Sequence, residues 1–271
     1  MMPYFEVKDI KLFYEVKGNP DGKETVAFFN GVMASAGSWA YQFPVFEKLG
    51  YRIILHDFKG QTMSDKPEGE YTFKQHAEEA KALFDYLGVK KLHIIGTSYG
   101  GEVAMRFAID YPNHTKSISI IDSVSELDET LKLFVGGWKT LASMDDPEGF
   151  FWGMAPSIYS NSFIKANKEF LQSRAAALKN IPRDYFKGQI SLYNTFEQDL
   201  HMTDELSEIK CPALVVVGEE DILKPYKFSK ILAEHIPNSE FAVIPGCGHV
   251  AIFEKPNVLN TLLLGFVIKN S

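Results

Sequence analysis

Short apolar runs alternate with helix-length amphipathic stretches at both ends of this 271-residue chain, and the alternation stops in the middle. The runs are Thr25–Phe29, Tyr51–Leu55, Leu92–Ile95, Ser117–Ile121, Ala213–Val217 and Phe241–Ile244. Thr25–Phe29 is an apolar run rather than an alternating one, which suits a strand buried on both faces. Between the runs the pattern predicts a helix capped by Ser38 and running through Trp39, Phe43, Phe46 and Leu49 to Gly50. Further helices are predicted over Phe73–Leu87 and Tyr99–Asp110, up to His235, and over Asn257–Lys269. Parallel strands need such crossovers, so the chain reads as α/β with a mostly parallel sheet. Tyr4–Val7 and Leu12–Val16 flank Lys8–Asp9 and read as an antiparallel hairpin ahead of it.

From Asp122 to Cys211 no buried strand is legible. Helical segments take their place, around Glu129–Thr140, Phe163–Leu178 and Tyr185–Phe196. The expectation is one α/β core, residues 1–122 and 211–271, with a helical insert over 123–210. Apolar residues make up 45% of the chain, which excludes disorder. A net charge of 28 − 35 = −7, with scattered Lys and Arg, argues against nucleic-acid binding. No apolar stretch reaches the roughly 18 residues of a membrane helix, and early charges break any signal-peptide core. Cys211 and Cys247 lack metal-site spacing and read as free thiols suited to a cytoplasmic protein. No metal or cofactor is expected.

The sharpest local signal is Gly96-Thr97-Ser98-Tyr99-Gly100, followed by Gly101. It matches G-x-S-x-G with a strand entering and a helix leaving, the context in which a serine is presented on a tight turn. A serine hydroxyl needs a base held by an acid, and in this topology the order is Ser, acid, His. Asp221 follows the strand Ala213–Val217, and His249 follows Phe241–Ile244 in a Gly-flanked loop. Asp122, at the end of Ser117–Ile121, is a rival acid. Of the seven histidines, His56 reads as a loop residue near the site. His76, His93, His114, His201 and His235 read as surface or capping residues.

Taken together these pieces resemble the α/β-hydrolase fold superfamily, in its serine-hydrolase branch. The matching residues are Asn30-Gly31-Val32, then Asp57, Gly60, Ser64 and Pro67. The Ser98 turn follows, then Gly218, Asp221 and Pro225, and finally Gly248, His249, Glu254 and Pro256. The resemblance implies an eight-stranded, mostly parallel sheet with a helical cap after strand six. It implies Ser98 as nucleophile, Asp221 as acid, His249 as base, and an oxyanion hole from the backbone N–H groups of Val32 and Tyr99. Asn30 departs from the His-Gly pair of many relatives, and Lys59, Gln61 and Thr62 stand where Arg, His and Gly are commoner. A serine rather than an aspartate nucleophile argues against dehalogenase and epoxide-hydrolase chemistry.

The expected activity is hydrolysis of apolar or amphipathic carboxylic esters through an acyl-enzyme, of the carboxylesterase or lipase type. An aromatic cluster in the insert supplies pocket candidates Phe134, Trp138, Phe151 and Trp152, with Trp39 as a pocket-floor candidate whose default role is helix-to-sheet packing. The Asn30 start, Trp39 and Gln42, and the insert size also resemble bacterial 3-oxoadipate enol-lactonases. Enol-lactone hydrolysis, acyl transfer or thioester hydrolysis, and a non-catalytic small-molecule receptor remain alternatives. Arg174, Lys179 and Arg183 are cations that a charged lactone would want, if they point inward. A homodimer stays open.

Overall fold

Burial on both faces organises the central strands. In the computed structural model, which describes residues 3–271, every residue of the strand Thr25–Phe29 is buried, as in Leu92–Thr97 and Ala213–Gly218. Side chains alternate across a strand, so two cores form at once. Val26 and Phe28 pack on one face with Trp39, Phe46 and Leu263, and Ala27 and Phe29 pack on the other with Phe84, Val103 and Phe107.

The strands are β1 (Tyr4–Val7), β2 (Ile10–Gly18), β3 (Thr25–Phe29), β4 (Arg52–His56), β5 (Leu92–Thr97), β6 (Thr115–Ile121), β7 (Ala213–Gly218) and β8 (Ser239–Ile244). Among the described residues they form one eight-stranded sheet in the order β1-β2-β4-β3-β5-β6-β7-β8. Only β1–β2 and β2–β4 pair antiparallel. Lys8 and Asp9 both have positive φ (48° and 64°), the two-residue turn whose twist suits a hairpin.

The helices are α1 (Phe43–Glu47), α2 (Phe73–Tyr86), α3 (Tyr99–Asp110), α4 (Glu129–Ser143), α5 (Pro147–Ile158), α6 (Asn161–Ala166), α7 (Lys168–Ala177), α8 (Asp184–Asp199), α9 (Tyr226–His235), α10 (Ala251–Glu254) and α11 (Pro256–Lys269). Helices α4 to α8 all lie between β6 and β7. Their buried residues, including Leu131, Phe150, Tyr185 and Tyr193, belong to the same apolar cluster as Phe73 and Tyr99 beneath them. The inserted helices therefore share the core of the sheet.

Three expectations need correction. The helix read from Ser38 to Leu49 is a short turn of 3-10 helix, Ala36–Trp39, followed by α1. Pro44 explains the break, because it has no N–H to give to a preceding turn and is tolerated only where a new helix starts, in the first turn of α1. Helix α5 was not legible because Phe150, Phe151, Trp152 and Met154 blur its apolar face. Its signal was the start, where Asp146 caps the Gly149 amide (2.9 Å) and Pro147 takes the first helical position. His76 and His93 are fully buried rather than surface residues. His76 sits among Phe58, Tyr71 and Tyr99, and His93 Nδ1 bonds Ser117 Oγ at 2.7 Å. Burial pushes the His93 imidazole down to about 4.

Helix α3 crosses β3 so closely that a Cβ at Gly100 would lie 2.0 Å from the Phe29 carbonyl oxygen. The atoms in the way are backbone and cannot swing aside. Gly100→Ala is therefore expected to cost about 3 kcal/mol or more, measured as a lower urea midpoint.

Candidate active site

Strand β5 ends in the middle of the sheet, and Ser98 stands at its tip with φ 51° and ψ −122°. This is left-handed backbone that a side-chain-bearing residue adopts only under constraint. The constraint is visible. A Cβ at Gly96 would meet the Gly100 carbonyl oxygen at 2.3 Å, and one at Gly101 would meet Ser123 Oγ at 2.0 Å. The Ser98 N–H donates to the Ile121 carbonyl (2.8 Å), and Ser123 Oγ donates to the Ser98 carbonyl (2.9 Å).

Three sequence-predicted residues converge at this tip. His249 Nε2 lies 3.0 Å from Ser98 Oγ, and His249 Nδ1 lies 2.8 Å from Asp221 Oδ2. Asp221 Oδ1 also accepts the amides of Leu223 and Lys224, each at 2.9 Å, so the carboxylate is clamped at both oxygens. The His249 N–H donates to the Ile158 carbonyl at the end of α5 (2.8 Å). Glu254 binds the Gly248 amide (3.0 Å) and the Ser160 amide and hydroxyl (3.0 and 2.6 Å). The His249 loop is thus fastened to the inserted helices.

The rival acid, Asp122, is fully buried at the end of β6 with φ 50°. Its Oδ1 accepts the Gly218 amide (2.8 Å), and among the described residues it makes no hydrogen bond to His249. Burial, then the neighbouring Asp221 charge, raises its pKa well above the usual carboxylate range. Asp122 is held neutral behind the acid that touches the histidine.

Val32 follows β3 on the other side of Ser98. Its loop is held by amide side chains. Asn30 Nδ2 donates to the His56 carbonyl (2.8 Å), Asp57 (3.0 Å) and Gln61 (3.1 Å). Gln61 Nε2 donates to the Gly31 carbonyl (2.9 Å), and Gln189 of α8 accepts the Met33 amide (2.9 Å). Asn30 and Gln61, two departures from the family pattern, therefore serve the loop that carries Val32. Among the described residues no protein acceptor takes the Val32 or Tyr99 N–H. His56 does not serve the loop with its ring: neither ring nitrogen has a partner. It packs against Phe29 and Phe58, and burial pushes it down to about 3.

Ser98 opens onto two cavities. The larger runs over His249 and Val32 and is roofed by Trp138, Phe151 and Tyr159 from the insert. The smaller is walled by Leu131, Val135, Phe196 and Lys224. Of the pocket candidates, Trp138 and Phe151 line the larger cavity. Trp39 does not: it is buried under the sheet against Phe28, with its indole N–H donated to Asn30 (2.8 Å). Phe134 lines neither cavity, and Trp152 is 41% exposed on the outer side of Phe151. Among the described residues no cluster of His, Cys, Asp and Glu could hold a metal ion.

Sequence reasoning missed Lys224. Its ammonium is buried 3.3 Å from Ser98 Oγ and 2.8 Å from Glu102 Oε1, over the Phe196 ring. An ammonium only donates, so Ser98 Oγ accepts from Lys224 and keeps its own proton for His249 Nε2. Burial raises the Glu102 pKa, against the pull of Lys224. The signal was its place: Lys224 falls between Asp221 and Pro225, in the loop that already carries the acid.

Two measurements follow from these buried charges. Lys224→Met leaves Glu102 buried without its cation and is expected to cost about 3–5 kcal/mol in urea unfolding, with Lys224→Met/Glu102→Gln recovering most of it. The neutral Asp122 retains its proton when the unfolded chain, with the ordinary value of 3.8, has lost it. Stability therefore falls as pH rises above about 4 because of this group. Asp122→Asn removes that slope, so its melting temperature relative to the parent should climb from pH 4 to pH 7.

A family model described as alpha/beta hydrolase fold matches residues 24–256. A protein named "Putative carbamate hydrolase RutD" from Azorhizobium caulinodans is 27% identical, covering 98% of both chains. A 2-hydroxy-6-oxononadienedioate/2-hydroxy-6-oxononatrienedioate hydrolase from Paraburkholderia phymatum is 30% identical, over 91% of this chain and 88% of its own. Among solved structures, the α/β-hydrolase enzyme MGS-M2 from a Medee basin deep-sea metagenome library superposes with a TM-score of 0.92 at 29% identity, covering 98% of this chain and 97% of that one. The chain belongs to the α/β-hydrolase fold family and is a hydrolase.

Proposed function

We propose that the chain is a serine-dependent hydrolase of carboxylic esters, lactones included, working through an acyl-enzyme. The observation that carries this reading is the continuous chain from Ser98 Oγ to His249 Nε2 (3.0 Å) and from His249 Nδ1 to Asp221 Oδ2 (2.8 Å). His249 takes the Ser98 proton as Oγ attacks the acyl carbonyl. Asp221 keeps the Nδ1 proton in place and stabilises the imidazolium. The Val32 and Tyr99 amides receive the oxyanion, each worth about 2.7–4 kcal/mol in the transition state. His249 then protonates the leaving alcohol, and water cleaves the acyl-enzyme with His249 again as base.

Two cavities meeting at Ser98 suit a substrate with a group on each side of the scissile bond, and their walls favour apolar or amphipathic groups of short to medium length. The relatives are named as a carbamate hydrolase, a 2-hydroxy-6-oxononadienedioate/2-hydroxy-6-oxononatrienedioate hydrolase and, for a 27% identical protein from Lactobacillus helveticus, a proline iminopeptidase. The free Cys211 and Cys247 are consistent with a cytoplasmic enzyme, and no helix among the described residues is long and apolar enough to cross a membrane.

A fluorophosphonate probe is expected to label the intact protein at Ser98, and p-nitrophenyl esters of rising chain length should be turned over. Ser98→Ala should lower kcat by about 10⁶-fold without loss of folding. Asp221→Asn should cost about 10⁴-fold, whereas Asp122→Asn should cost less than about tenfold on the same ester. Retained turnover in Ser98→Ala, or a larger loss at Asp122 than at Asp221, would remove this assignment.

A further inference from the structure

The larger cavity has one permanently charged residue in its wall among the described residues, and it is cationic. Arg174 projects from α7 to the mouth of this cavity, where it also borders an outer groove with Ser38 and Phe253. No Asp or Glu lines the cavity. The guanidinium lies over the rings of Phe253 (5.1 Å) and Phe170 (5.7 Å) and forms no ion pair among the described residues. Its Nε is buried with no acceptor, and the neutral Tyr159 hydroxyl is the neighbour the guanidinium has in the cavity wall. The nearby cations differ: Lys179 pairs with Glu148 at 3.0 Å, and Arg183 pairs with Asp145. Lys224, across Ser98, is neutralised by Glu102.

A buried donor without an acceptor is costly to keep, so its presence in a substrate cavity calls for an acceptor brought from outside. An aromatic-stacked guanidinium has a fixed plane and presents its N–H edge to a planar anion. We propose that Arg174 is a carboxylate-binding residue, and that the substrate is an ester or lactone carrying a carboxylate remote from the scissile bond. This rests on the ester-hydrolase reading of Ser98 and names the substrate's charge. A monoanion fits better than a phosphate dianion, because one cation stands in an otherwise apolar wall.

The test compares p-nitrophenyl hemiesters of glutaric and adipic acid with neutral p-nitrophenyl esters of matched length. The wild-type protein is expected to prefer the hemiesters by kcat/KM. In Arg174→Gln the hemiester-to-neutral ratio should fall about 10- to 100-fold, chiefly through KM, with Arg174→Lys retaining part of it. Arg183→Gln, outside the cavity, should keep the wild-type ratio. A neutral preference in the wild type, or an equal loss on both esters in Arg174→Gln, would overturn the proposal. A second readout does not depend on turnover. Calorimetry on Ser98→Ala should show adipic acid monoethyl ester binding about tenfold or more tighter than ethyl hexanoate, and the difference should vanish with Arg174→Gln added. Equal binding of the two would overturn the subsite. Unlabelled Ser98 with charge-selective binding would instead overturn the serine-hydrolase reading and leave the subsite standing.

Discussion

The strained turn at Ser98 is the constraint on which the rest of the molecule depends. A residue with a side chain at φ 51° is unfavourable by about 1–3 kcal/mol, and it persists only where its surroundings over-determine it. Here β5 lies between β3 and β6, so the turn is gripped from both sides. Beneath it, Gly100 lets α3 approach the Phe29 carbonyl, and Gly101 leaves room for Ser123. The Ile121 carbonyl and the Ser123 hydroxyl then fix the Ser98 backbone. The apolar burial of β3, β5 and β7 gives that grip its rigidity.

The inserted helices are coupled to this turn through polar contacts as well as shared core. Gln189 of α8 holds the loop bearing Val32, the Ile158 carbonyl of α5 holds the His249 amide, and Glu254 ties Gly248 to Ser160. Asp199, at the end of α8, accepts the Phe73 amide at the start of α2 (2.7 Å). Movement of the insert would therefore disturb the proposed base and one of the oxyanion amides together.

Much of this was legible in the sequence, for physical reasons. Strands buried on both faces leave continuous apolar runs, so the strand–helix order could be read directly. The Ser98, Asp221 and His249 loops stood out because each follows such a run and carries glycine or proline at fixed offsets. What was not legible depended on three-dimensional neighbours. Trp39 was ambiguous because an aromatic residue near a site suits either a pocket or a core. The Asn30 bond to its indole places it in the core. His76 and His93 read as surface residues because nothing local shows that a histidine can be buried neutral among aromatic rings. Lys224 carried no sequence signal of its own, since its meaning comes from Glu102 on a helix far away in sequence.

The distribution of charge separates two roles that sequence composition cannot distinguish. The chain is net negative by seven, so long-range attraction favours cations over anions. The cavity walls have the opposite sign. Lys224 spends its charge on Glu102 and on orienting Ser98, so little of it is left for a ligand. Arg174 forms no ion pair among the described residues, has the Tyr159 hydroxyl beside it, and lines the cavity away from the serine. A field that acts only inside a low-dielectric, apolar cavity is strong at contact and weak outside it. Such a site selects its anion after entry, through a short-range guanidinium contact, and does not gather it from solution.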